Sequence, residues 1–239
     1  MRGCLFTLLL AAVVAVFVVV VGLPAVAAGV LTTAVQAAGL EAADTTVTVS
    51  SDPPTDLLGL HADRVRVRAT HATFRGLAIG RLDVTLSNVA IVDRTFGAVS
   101  GSLEDVTVPD VGGRPVDLAA VTLSGTGGAM KAATVIPAAR AQAMLADGIA
   151  SIIGVRPTSV AYAAPNLVTV RMAGVTVTGH LGVDPAGDVV ATIAGGPLQG
   201  QQVVLLAAGS AVPIHVTSAT VTPAGDVRIA GDLAVGLLG

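Results

Sequence analysis

The tightest constraint on the fold is a two-residue alternation that starts near residue 64 and returns through the rest of the chain. In Arg64-Val65-Arg66-Val67-Arg68 the arginines fall on one side and the valines on the other, the pattern of a strand with one face against a core. Leu82, Val84 and Leu86 repeat it against Asp83, Thr85 and Ser87. The phase then slips at Asn88 before Val89 and Ile91, which predicts a bulge or strand break there. Val168, Val170 and Met172, then Val175, Val177, Leu181 and Val183, and finally Val227, Ile229 and Leu233 read as further antiparallel strands. Two near-copies, Asp184-Pro-Ala-Gly-Asp188 and Thr222-Pro-Ala-Gly-Asp226, supply tight hairpins: proline presets φ at the first turn position and glycine accepts positive φ at the end.

One segment has a different period. Over Pro137 to Ile153, Ala138, Ala141, Leu145, Ile149 and Ile152 recur at three- and four-residue spacing, with Arg140, Gln142 and Asp147 off that stripe. This predicts an amphipathic helix, started by a permitted first-turn proline and ended at Gly154, with Pro157 preventing its resumption. One helix among many strands makes an α+β domain in which the helix packs on a concave sheet face.

The N-terminus follows another rule. Cys4 to Leu23 carries no charge, and about 20 residues at 1.5 Å each span a ~30 Å hydrocarbon layer. The segment is expected to enter a membrane. Two fates stay open: retention as an anchor, favoured by its length, or cleavage at the Ala25-x-Ala27 pattern. Arg2 before the run and Glu41, Asp44 and Asp52 after it place the domain outside the cytoplasm by the positive-inside bias. The division expected is a signal-anchor over 1–28, a linker over 29–44, and one β-rich domain over 45–239.

Composition removes several function classes. The net charge of −3 offers no general attraction to nucleic acid. Beyond the N-terminal run only Phe74, Phe96 and Tyr162 are aromatic, so stacking platforms for bases or sugars are absent. Cys4 is the single cysteine, which excludes an internal disulfide and multi-cysteine metal sites. No Gly-x-Ser-x-Gly, His-Glu-x-x-His or Gly-x-x-x-x-Gly-Lys motif occurs, and no enzyme activity, cofactor or metal is expected. His61, His71, His180 and His215 are dispersed and read as solvent-facing. Glu104-Asp105, as neighbours on a strand, would point to opposite faces.

Three stretches, Asp52 to Val67, Phe74 to Val89 and Pro213 to Asp226, together resemble the actinobacterial LmeA-type phospholipid-binding proteins, a pattern of glycines, prolines and alternating aliphatics over most of Thr45 to Leu233. The segment from Gly112 to Gly128 matches weakly. The resemblance implies a fold of the tubular lipid-binding type, with a curled sheet around a helix and an acyl-chain groove, and a role in the bacterial cell envelope.

The expectation is therefore a non-enzymatic carrier or sensor of membrane phospholipid. Leu145, Ile149 and Ile152 would line the groove, and Arg64, Arg66 and Arg68 would meet anionic headgroups at about 1 kcal/mol each. An ordinary solvated strand face is the plainer account of the arginines. A structural or protein-interaction domain without ligand is the alternative function, and a hydrolase is a third.

Overall fold

The computed structural model describes residues 23–37, 39–74, 76–93, 95–108, 115–195, 199–206 and 214–233. Helix α1 (Leu23–Ala37) leads into strands β1 (Leu40–Ser50), β2 (His61–Phe74), β3 (Leu77–Ala90), β4 (Thr95–Val108), β5 (Val116–Thr126) and β6 (Ala129–Ile136). A short 3₁₀ helix, Pro54–Gly59, joins β1 to β2. Helix α2 (Ala138–Ile153) follows. Then come β7 (Ser159–Ala163), β8 (Leu167–Met172), β9 (Val175–Val183), β10 (Val189–Ile193), β11 (Gln202–Leu206), β12 (Ile214–Val221) and β13 (Val227–Leu233). The chain is β-rich with few helices, as its alternation requires.

The strands form two antiparallel sheets, neither of them closed. The larger runs β1-β2-β3-β4-β5-β6-β13-β12 and the smaller β11-β10-β9-β8-β7. In the main core, Ala141, Leu145 and Ile149 of α2 meet Ile136, Val216 and Ile229 of the large sheet and Val168, Leu181 and Val189 of the small one. A second cluster, Val47, Val49, Leu57, Ala62, Val65, Val67 and Val89, lies at one end of the large sheet, with Ala27, Ala28 and Leu31 of α1 packed on it.

Two boundaries differ from the sequence reading. Residues 29–44 are no linker: α1 runs across position 28 to Ala37, and β1 begins at Leu40, pairing with Phe74. The apolar run itself lies outside the described residues up to position 22, whereas Ala25 and Ala27 fall inside α1. The second difference is at Asn88. The phase slips there as expected, but β3 continues to Ala90 with unchanged pairing: Ser87 faces Arg64 and Val89 faces Ala62. Asn88 takes a left-handed conformation (φ 52°), as do His71 on β2 (φ 47°) and Asp105 on β4 (φ 52°). A left-handed residue turns two successive side chains to the same side without inserting an extra residue. Glycine makes room beside two of them: a Cβ at Gly80 would stand 2.8 Å from that of Asp105, and one at Gly97 3.0 Å from that of Asn88.

The two Pro-Ala-Gly hairpins adopt one conformation. In each, the first residue's N–H donates to the carbonyl of the closing aspartate (Asp184 to Asp188, 3.0 Å; Thr222 to Asp226, 2.8 Å). The glycine has positive φ, 90° at Gly187 and 87° at Gly225. The second hairpin also serves the helix. Pro137 offers no side-chain cap to α2, and the Asp226 carboxylate accepts the Ala138 N–H instead, at 2.9 Å, satisfying one of the otherwise orphaned amides of the first turn. Gly154 closes the other end in the left-handed conformation, φ 73°.

Candidate functional site

Register places a band of aliphatic side chains on the inner face of the large sheet. Val65 and Val67 are buried there, and residues directly opposite on neighbouring strands share a face. Val65 pairs with Leu86, Val67 with Val84 and Ala69 with Leu82. Leu82 in turn pairs with Leu103, and Val84 with Gly101. Gly101 pairs with Leu123. Leu82, Val84, Leu86, Leu103 and Leu123 are all only half-buried. Leu82 touches both hydrophobic clusters, Leu103 and Leu123 pack on the main core, and Leu86 packs on the cluster under α1. The band thus bridges the two cores, with aliphatic area left uncovered. Gly101 keeps its centre flat: a Cβ there would come within 2.5 Å of the Asp83 carbonyl oxygen and 2.8 Å of Val84 Cα.

The helix stripe is arranged differently from the sequence reading. Leu145 and Ile149 are each 1 % exposed, whereas Ile152 is 48 % exposed. Four-residue steps from Leu145 reach Ile149 and Ile153, and Ile153 packs on the core in place of Ile152, because three residues turn the helix short of a full turn and four slightly past it. Two apolar voids of about 10 Å³ each flank the helix, one lined by Leu145, Ile149, Val170 and Val177, the other by Ala141, Met144, Leu205 and Ile229. Each is about the size of one water position, against the ~300 Å³ or more of pockets that enclose a small molecule. Gly148 contributes to this tightness, since a Cβ there would lie under 3.0 Å from Val203 Cγ1 on β11.

On the outer face Arg64, Arg66 and Arg68 share one side of β2, with Val65 and Val67 turned inward. β3 supplies the acid that their own segment lacks. Asp83, paired in register with Arg68, accepts two hydrogen bonds from Arg66 (Nε to Oδ1, 2.7 Å; an η nitrogen to Oδ2, 2.6 Å) and one from Arg68 Nε at 3.2 Å. The fork of bonds from Arg66 holds the Asp83 carboxyl below the usual carboxylate range, and the same contact raises Arg66. Arg81 pairs with Glu104 at 3.3 Å. Among the described residues Arg64 is the member of the trio with no ion pair.

The remaining polar groups are dispersed among the described residues. The four histidines are exposed and separate, and no group of three or more metal-binding side chains occurs among the described residues. Glu104 and Asp105 do not point to opposite faces, because Leu103 and Val106 on either side both join the core and left-handed Asp105 brings both carboxylates off it. Glu104 is engaged by Arg81. Tyr162 is buried, its hydroxyl donating to the Ala141 carbonyl at 3.1 Å, and burial pushes its phenol well above the ordinary tyrosine range.

Among the described residues no helix is long and apolar enough to cross a membrane. No protein-family model matches the chain, and neither the curated proteins nor the solved structures provide a match.

Proposed function

We propose that this chain is a non-enzymatic phospholipid-binding protein of the bacterial cell envelope, a carrier or sensor, in which a curled sheet of the tubular lipid-binding type takes acyl chains on its inner face. The observation that carries the reading is the half-buried band of Leu82, Val84, Leu86, Leu103 and Leu123 between the two cores. Uncovered aliphatic surface is stabilised by an apolar occupant at roughly 25 cal/mol per Å² removed from water. In this reading the band, not the side of α2, receives the acyl chain. Arg64 offers a charge for a headgroup, and the N-terminal run holds the molecule to the membrane with its domain outside the cytoplasm. Secretion after cleavage near Ala27 is the other localisation.

A photoactivatable phospholipid tests the site. The full chain is irradiated with a phosphatidylglycerol carrying a diazirine on one acyl chain, and the adducts are mapped by peptide mass spectrometry. Adducts concentrated on the segments 82–86 and 99–103 support the reading. Adducts confined to the N-terminal run, with none on the sheet, refute it.

A second reading, a structural or protein-interaction domain of the envelope without ligand, draws on the close packing around α2 and its two 10 Å³ voids. It requires that the band stay empty when lipid is offered.

A further inference from the structure

Five of the exposed large aliphatic side chains gather at one end of the molecule. Leu58 is 64 % exposed in the 3₁₀ helix, Leu60 is 46 % exposed just after it, and Val92 is 68 % exposed in the turn between β3 and β4. The Ile91 N–H donates to the Leu60 carbonyl at 2.9 Å, which locks that turn beside the 3₁₀ helix. Val26 and Val30 of α1, at 67 % and 58 %, lie on the helix whose Ala27, Ala28 and Leu31 pack on the cluster containing Leu57. The 3₁₀ segment presents Leu57 inward and Leu58 and Leu60 outward, with left-handed Leu60 (φ 58°) making the reversal.

Such a patch needs an occupant, and the chain's own direction names one. The uncharged run Cys4 to Leu23 ends where α1 begins, at this same end of the sheet. If that run lies in a bilayer, the first folded surface it delivers to the membrane is this tip. The geometry points to a second membrane contact: Leu58, Leu60 and Val92, with Val26 and Val30, rest in the interfacial layer of the bilayer that holds the N-terminal run, so the domain is held upright at two points. This rests on the membrane reading given above and adds a docking surface to it. Apolar faces of this kind sit ~5–10 Å into the headgroup boundary. Arg64, three residues along β2 from His61 and therefore ~10 Å further out than the start of that strand, is then at the level of the lipid phosphates. It is also the arginine that Asp83 does not engage.

The charges near the tip set the lipid class. Asp52, Asp56, Asp63 and Asp93 are exposed there, and Asp63 Oδ2 accepts the Asp52 N–H at 2.7 Å. Four carboxylates against Arg64 disfavour a densely anionic surface, so the contact is apolar in origin and its partner is a zwitterionic or weakly charged interface.

The test uses the full chain with Cys4→Ser, reconstituted in phosphatidylcholine vesicles containing acyl-chain nitroxide lipid. A fluorophore is placed in turn at Leu58→Cys, Val92→Cys and Thr73→Cys; Thr73 lies twelve residues along β2 from its first residue, roughly 40 Å away. Quenching at positions 58 and 92 should be several-fold stronger than at 73. With the reporter at Leu60→Cys, adding Leu58→Asp and Val92→Asp should bring quenching down to the level seen at 73. Retention of the chain in an alkaline wash separates the two readings. A retained chain with no quenching at 58 or 92 overturns the tip contact and leaves the anchor standing. A chain that washes off with all sites unquenched removes both, and equal quenching at all three sites overturns the tip as the oriented contact.

Discussion

Gly148 offers the sharpest test of how α2 sits against the small sheet. Replacing a mid-helix glycine by alanine ordinarily gains about 1 kcal/mol, since glycine loses the most backbone entropy on folding. Here the new methyl would stand under 3.0 Å from Val203 Cγ1, about 1 Å short of the ~3.8 Å that carbon atoms need. Val203 is 2 % exposed, and its branched side chain has little freedom at χ1. Relief requires either an off-rotamer valine, at ~0.5–1.5 kcal/mol, or a shift of helix from sheet, with overpacking of this kind costing about 1–3 kcal/mol. The overlap exceeds the propensity gain, so Gly148→Ala should destabilise the fold by about 1 kcal/mol net. Val203→Ala alone should cost about 2 kcal/mol as a cavity. In the double variant the two changes fill each other, leaving a favourable coupling of at least ~1 kcal/mol. The assay is urea unfolding followed by far-ultraviolet circular dichroism in mild detergent, comparing midpoints at constant slope. A stabilised Gly148→Ala, additive with Val203→Ala, would refute the close approach of α2 to β11 and with it the tight interior.

Further outcomes follow from single contacts. Asp226→Ala should cost about 1 kcal/mol by removing the distant cap on α2, and Asp226→Asn should restore most of it; unfolding midpoints of the pair decide. Tyr162 is the only tyrosine, so its tyrosinate absorbance reports one group. Because burial raises its folded pKa, the stability it contributes is complete below the ordinary tyrosine range and is lost as pH rises through the folded value, and ionisation should coincide with unfolding. A tyrosinate signal at ordinary pH with the far-ultraviolet spectrum intact would contradict its burial. The Asp83 carboxyl, lowered by Arg66, contributes stability above the unfolded carboxylate range that fades as pH falls through the folded value. Carboxyl-carbon NMR should find its titration shifted upward in Arg66→Gln. On weakly anionic liposomes, mostly phosphatidylcholine, Arg64→Gln alone should reproduce the binding loss of the triple Arg64, Arg66 and Arg68 to Gln variant, since Asp83 already engages the other two; a loss in the triple that the single variant lacks would assign the headgroup to the whole trio.

The strands were legible because period-two patterning leaves a mark at every position: β2, β3, β8, β9 and β13 lie where Arg64 to Arg68, Leu82 to Leu86 and the later aliphatic runs put them. The helix and both Pro-Ala-Gly hairpins were equally local in origin. What escaped was set by contacts distant in sequence. Asp83 neutralises Arg66 and Arg68 only because β2 and β3 fold about Gly76, in left-handed conformation, and recognising that glycine as a turn would have placed Asp83 opposite Arg68. The cap from Asp226 to Ala138 spans 88 residues and has no local signature. Residues 29–44 lack strong alternation, so a helix and the start of an edge strand read as a linker. Ile152 and Ile153 are adjacent apolar residues, and a stripe drawn from spacing alone takes the wrong one. The half-buried band is a property of three strands in register, invisible along any one of them.

The claim that aliphatic surface on this sheet is a lipid seat is tested most directly by weighing the protein with whatever it carries. Native mass spectrometry of the full chain, released gently from its membrane, should show a folded species bearing phospholipid adducts, and Leu103→Asp should strip those adducts while leaving the β-sheet spectrum unchanged. A folded wild-type chain that emerges at its bare mass, and stays bare after incubation with phospholipid, would contradict the account.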